Sequence, residues 1–206
     1  MTTGPTDPAD SADRDPSVLA KPVRVFLDAR FLSQSVPWKL LSLGFASDTG
    51  RELYIVIDHE GSPPERDTAT GDLKAVFDVL HEGNPEILSR QAAAARITEW
   101  FDELRAGEPA DLLEILMSAP VGWDVTIHLV TDSSITLDMF RDLYAAGSPI
   151  ANMDGLLANE VFGGHWLRRF TELRRNFHQG SSSPHHGLYS AMSIREAWDS
   201  VFDDWE

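Results

Sequence analysis

Val25-Phe26-Leu27-Asp28-Ala29-Arg30-Phe31-Leu32 is an apolar run that ends in charge. Its length and apolar character predict a buried strand, and the charged residues mark its functional end. Asp28 and Arg30 stand at i and i+2, so a strand presents both side chains on one face. Two more strands are expected close behind. Lys39-Leu40-Leu41-Ser42-Leu43-Gly44-Phe45-Ala46 is the second and Glu52-Leu53-Tyr54-Ile55-Val56-Ile57 the third. Ser47-Asp48-Thr49-Gly50 between them supplies a turn with a glycine suited to positive φ. The chain therefore opens with an antiparallel meander.

Further on, the pattern changes period. Asp72 to His81 fits a short helix, which Asn84-Pro85 ends. Ser89 to Arg105 is the clearest helix, with Ala92, Ala95, Ile97, Trp100, Phe101 and Leu104 near helical spacing and Gly107 as the stop. Leu112 to Met117 fits a short helix or a turn. Val125 to Val130 alternates with β-branched residues and predicts a fourth strand. Ser134 can cap a helix from about Thr136 to Ala146. Ile150 to Leu157 reads as a fifth strand or an irregular segment. Trp166 to Phe177 and His186 to Phe202 close the chain as helices. Trp100, Phe101, Phe140 and Trp166 fall at helical spacing and are expected in the core. A meander followed by alternating helix and strand predicts an α/β sandwich around a mixed sheet.

The 206 residues fit one domain with a tail, and 42% hydrophobic content supports a sizeable core. Residues 1–22 are acidic and poor in large apolar side chains, which predicts a disordered tail ahead of a domain over 23–206. No apolar run is long enough to cross a bilayer, and Met1-Thr2-Thr3-Gly4-Pro5 lacks the pattern of a signal peptide. Cysteine is absent, so disulfides and thiolate metal sites are excluded and a reducing cytoplasm is expected. The net charge of −16 counts against a broad electrostatic grip on nucleic acid. Arg168, Arg169, Arg174 and Arg175 form the one dense basic cluster in the sequence, read as a solvated helix face. Trp38, beside Pro37, is a candidate stacking platform. Gly163-Gly164-His165 lacks the strand-then-helix setting of a phosphate loop, and no P-loop, Gly-x-Ser-x-Gly or His-Glu-x-x-His is present.

Two stretches carry a resemblance to a known family. The first strand with Leu40-Leu41-Ser42-Leu43-Gly44-Phe45 and Gly50-Arg51-Glu52-Leu53-Tyr54 is similar to the opening of a bacterial 3'-5' exoribonuclease subfamily. Pro184-His185-His186-Gly187-Leu188-Tyr189-Ser190-Ala191 is similar to its closing motif, His-His-Ala-Leu-x-Asp-Ala. The resemblance covers roughly residues 23–198 and implies the ribonuclease H-like fold of the DEDDh exonucleases. It also implies a chemistry. In that family two divalent ions about 4 Å apart clamp the scissile phosphate, oxygen ligands hold them, and a His acts as general base. Four acidic positions and one His are needed.

Most of these positions are altered. Asp28 matches the first acid and His185 the general base, five residues before the fourth acid position. Arg30 stands at the second acid. The third falls in Thr131-Asp132-Ser133, where the alignment places Ser133 with Asp132 one residue off. Ser190 stands at the fourth. At about 4 Å and an effective dielectric near 20, two unit charges interact by roughly 4 kcal/mol, and a divalent ion facing Arg30 would meet about twice that as repulsion. The two-metal site is therefore expected not to form, and Arg30 is expected to pair with Asp28 as an internal substitute cation.

Plainer readings stand beside these. Asp28 with Arg30 can be a simple strand-end salt bridge. His185 and His186 can be exposed residues after a Gly/Ser loop, and Asp132-Ser133-Ser134 a helix-cap cluster. The resulting expectation is a catalytically inactive exoribonuclease-like domain that binds, without a cofactor. A protein partner or a second copy suits its acidity better than long nucleic acid; a nucleotide or an RNA 3' end is a further candidate. The alternative is an active exonuclease with Asp28, Asp132 and His185, a carboxylate such as Asp154 or Glu160, and magnesium or manganese.

Overall fold

The computed structural model describes residues 22–32, 39–59, 70–107, 126–144, 153–181, 183 and 185–204. The tail up to residue 21, Trp38 and the predicted helix or turn at Leu112 to Met117 lie outside the described residues. The meander consists of β1 (Val23–Leu32), β2 (Lys39–Ser47) and β3 (Glu52–Ile57). The turn after β2 closes through the Gly50 amide on the Ser47 carbonyl at 3.1 Å, with Gly50 at φ 83°. Then come α1 (Gly71–Val79), β4 (Glu86–Leu88), α2 (Arg90–Ala106), β5 (Ile127–Thr131) and α3 (Ser134–Tyr144). The chain closes with β6 (Met153–Leu157), α4 (Ala158–Val161), α5 (Gly164–Gly180) and α6 (Gly187–Asp203).

The six strands form one mixed sheet in the order β4-β3-β2-β1-β5-β6. β1–β2 and β2–β3 are antiparallel, whereas β5, β6 and β4 each run parallel to the strand they pair with. Strand β6 resolves the ambiguous segment before Leu157 in favour of a strand. Two short elements, β4 and α4, were not anticipated. β4 has only three residues and follows Asn84 at φ 53° and Pro85, which read as a breaker. α4 has four residues, too few to display a helical period.

Alternation along β1 sorts the two faces of the sheet. Val25, Leu27 and Ala29 pack with Ile97, Trp100 and Phe101 of α2 and Phe140 of α3. Phe26 faces the opposite layer, with Phe162, Phe170 of α5 and Ile194, Trp198 and Val201 of α6. Asp28 and Arg30 share the parity of Phe26 and lie under α5 and α6. A third apolar group, Leu32, Leu41, Tyr54, Val56, Phe77 and Leu80, anchors α1. Among the described residues no helix is long and apolar enough to cross a membrane.

A bulge falls directly after Arg30. Arg30 pairs with Ser42 and Phe31 with Leu40, so Leu41 is the extra residue. Such an insertion bends the strand and re-aims the side chains around it. Two residues further in, Asp28 lies opposite Gly44 in the β1–β2 ladder. Gly44 has no room for a side chain. An added Cβ would lie 2.4 Å from the Gly187 carbonyl carbon and from the Leu188 amide nitrogen. The first turn of α6 therefore rests backbone to backbone on β2, beside Asp28.

Candidate functional site

The α6-side face of the sheet carries a polar cluster in an otherwise apolar layer. Asp28 is 6% exposed, and its carboxylate lies 3.1 Å from an Arg30 terminal nitrogen. The i, i+2 strand relation accounts for this pair. Asp132 follows immediately on β5. Its carboxylate is held by Nη1 of Arg174, which reaches across from α5. The same guanidinium donates from Nη2 to Ser190 Oγ and from Nε to Ser193 Oγ, each at 3.2 Å. A single side chain thus ties together the end of β5 and two positions of α6. Ser190 and Ser193 are 2% and 0% exposed, so these hydroxyls lie inside the protein.

The proton arrangement follows from counting donors. Ser193 Oγ donates its only hydrogen to the Ser190 carbonyl at 2.6 Å. His178 Nε2, 3.3 Å away, must therefore donate to that oxygen. This leaves His178 Nδ1 buried without a hydrogen-bond partner. Burial lowers the His178 pKa, and the like charges of Arg174, Arg30 and His185 lower it further, against the pull of Asp28. His178 thus lies in the field of Asp28, both arginines and His185. For Arg174, burial lowers the pKa, with Asp28 opposing and Arg30 adding to the fall.

His186 differs from the plain reading of an exposed loop residue. It is 1% exposed, with its ring centroid 4.1 Å from Tyr54 and 4.8 Å from Tyr189. Its Nε2 lies 2.9 Å from the Glu82 carbonyl and donates to it, while its buried Nδ1 has no hydrogen-bond partner. The Ser183 hydroxyl reaches the Glu82 carboxylate. Together they pin the approach to α6 onto the α1–β4 connection. Tyr54 donates to the Leu80 carbonyl at 3.0 Å, and burial pushes its pKa up to about 12.

Burial also lowers the His186 pKa. Both histidines are therefore bound neutral, with folded-state values below the ordinary 6.5. The stability they supply is complete above about pH 6.5 and is lost as the pH falls through the folded-state values. The urea midpoint is expected to be flat at neutral pH and to fall on acidification. His186→Gln keeps a donor for the Glu82 carbonyl and cannot take up the proton, so the acid slope should shrink. An unchanged slope would remove His186 from this account.

The other candidates lie as follows. Ser133 caps α3. Its Oγ accepts from the Thr136 amide at 3.5 Å and its carbonyl from the Leu137 amide at 3.4 Å. The helix consequently starts at Ser134, two residues before its expected position. Asp154 is 71% exposed on β6, 4.0 Å from His128, and Glu160 is exposed on α4. Among the described residues no group of three or more His, Asp or Glu side chains is placed to hold a metal ion. The two carboxylates of the cluster, Asp28 and Asp132, are ion-paired with Arg30 and Arg174.

Arg174 is the residue that sequence reasoning missed. It was grouped with Arg168, Arg169 and Arg175, which are exposed. Helical spacing does separate it from them. Phe170, Arg174 and His178 stand at i, i+4 and i+8, and Phe170 is buried at 2% exposure. The Arg174 guanidinium carbon lies 6.0 Å from the Phe170 ring centre, on that inward stripe. No protein-family model and no curated protein matches the chain.

Proposed function

We propose that this protein is a ribonuclease H-like domain of the DEDDh exoribonuclease type that has exchanged metal-ion chemistry for binding. The strand arrangement supports the fold: an antiparallel β3-β2-β1 meander extended by parallel β5 and β6. The order of the site residues supports the type. Asp28 lies on the first strand, Asp132 at the end of β5, and His185 just before the helix that carries Ser190.

One observation carries the loss of metal chemistry. The two carboxylates of the cluster, Asp28 and Asp132, are each paired with a guanidinium, Arg30 and Arg174. A pair of divalent ions needs several anionic oxygens free to converge on it. Here the local charge of these four groups sums to zero, and fixed cations stand where mobile ones would be drawn in. The residues do not fit a two-metal centre, and no cofactor is assigned. What remains is a folded surface. At a net charge of −16 it suits a protein partner or a second copy better than long nucleic acid, with a short RNA 3' end or a nucleotide as the smaller alternative.

Incubation with a short 3'-labelled RNA and manganese tests the reading. The RNA is expected to stay full length, and calorimetric titration of the metal-free protein with manganese should give no saturable binding. Stepwise shortening that disappears in His185→Ala would establish an enzyme instead. Micromolar manganese binding that disappears in Asp28→Ala would do so equally.

A further inference from the structure

α5 carries four arginines and one glutamate in a chain whose net charge is −16. Two of the four are engaged with carboxylates of the fold, Arg174 with Asp132 and Arg169 with Asp204. Arg168 and Arg175 are exposed, and among the described residues neither has an ion-pair partner. They stand at i and i+7, two turns apart on one face of the helix. With Leu167, Thr171 and Glu172 they line a hollow of about 280 Å³. The segment ahead of β1 joins the domain close to this face. The Arg24 guanidinium lies 5.9 Å from the Phe202 ring centre, and two residues after Phe202 the Asp204 carboxylate lies 3.8 Å from Arg169. Residues 7–15 hold Asp7, Asp10, Asp13 and Asp15 against one basic residue, Arg14. Residues 15–23 can span up to about 27 Å, whereas α5 advances only about 9 Å from Arg169 to Arg175. Both exposed arginines are therefore within reach of the aspartates.

We propose that residues 7–15 dock, in their own chain, on the face of α5 that bears Arg168 and Arg175. Charge holds the contact. Each exposed ion pair is weak and screened by salt. The covalent link compensates, because it keeps the aspartates at an effective concentration in the millimolar range. The hollow shares Leu167 and Thr171 with a second one, whose wall includes Asp132 and Arg174. A segment docked there covers the α5 approach to the polar cluster.

The chain has no cysteine, so Ser11→Cys in the full chain accepts a single nitroxide spin label. At low salt the NMR signals of the residue 167–175 amides should broaden selectively, while those of α2, in the opposite layer, stay sharp. At about 1 M salt, where charges are screened within about 3 Å, the broadening should vanish. Arg168→Glu with Arg175→Glu should abolish it at low salt, and adding Asp13→Arg and Asp15→Arg should restore it. Even broadening across the domain overturns the proposal. So does an effect on α5 that survives salt and charge reversal, or one that the exchanged aspartates fail to restore. Mixing spin-labelled chain with isotope-enriched unlabelled chain identifies whose segment is bound. Sharp signals from the enriched chain are expected, and broadened ones would make this face an interface between copies and overturn docking within one chain. None of these outcomes moves manganese binding, so the proposed loss of metal chemistry is decided separately.

Discussion

Gly44→Ala is expected to lower stability by about 3 kcal/mol or more, at the upper end of what overpacking costs. The added methyl would stand 2.4 Å from backbone atoms of Gly187 and Leu188. Backbone cannot rotate aside as a side chain can, so the first turn of α6 must lift from β2. That lift loosens the contacts of Ala191, Ile194, Ala197 and Trp198, all at most 2% exposed. Gly187→Ala provides the contrast. Its methyl would meet Ser42 Oγ at 3.3 Å and a Tyr54 ring carbon at 3.4 Å. These are side-chain atoms that can yield, so roughly 1 kcal/mol is expected there. Urea unfolding of the two variants decides the matter. A Gly44→Ala midpoint close to the native value, or a larger loss at Gly187, would mean that the helix does not rest on the sheet in this way.

Arg174→Ala is the second large effect. It leaves the Asp132 carboxylate without its cation and strips a donor from each of two buried hydroxyls. Breaking a fully buried ion pair from one side costs about 3–5 kcal/mol. The Asp132 side chain keeps 33% of its exposure, which tempers that figure to about 2 kcal/mol. Arg175→Ala, one residue along and exposed, should change stability by less than about 0.5 kcal/mol. A second readout separates electrostatics from packing. Burial and the Arg174 charge both depress the His178 pKa, so this pKa should rise in Arg174→Ala when followed by NMR. Equal stability losses for the two arginines, with no movement of His178, would return Arg174 to the solvated face on which the sequence first placed it.

The sheet was legible wherever a strand is long enough to display its alternation. β1, β2 and β3 declare themselves through apolar runs bounded by turn residues, and α2 through a clean helical period between Ser89 and Gly107. β4 and α4 were hidden because three or four residues hold no period. The same contrast holds for the cluster. Asp28 and Arg30 are neighbours in sequence, and two-residue spacing on a strand suffices to bring them together. Arg174 and Asp132 are 42 positions apart. Only the packing of α5 over the end of β5 makes them partners, and no local pattern encodes that. Charge density also misled, since four arginines in one short stretch look alike until Phe170 shows which of them shares its stripe.

The placement of α6 has a consequence for how the molecule comes into being. Residues 187–203 cover β1 and β2, strands that leave the ribosome some 140 positions earlier. Phe26 lacks the part of its cover that Ile194, Trp198 and Val201 provide until that helix is synthesised and docks. The nascent chain therefore carries part of that face bare until α6 emerges, and chaperone protection during synthesis matters most in that interval.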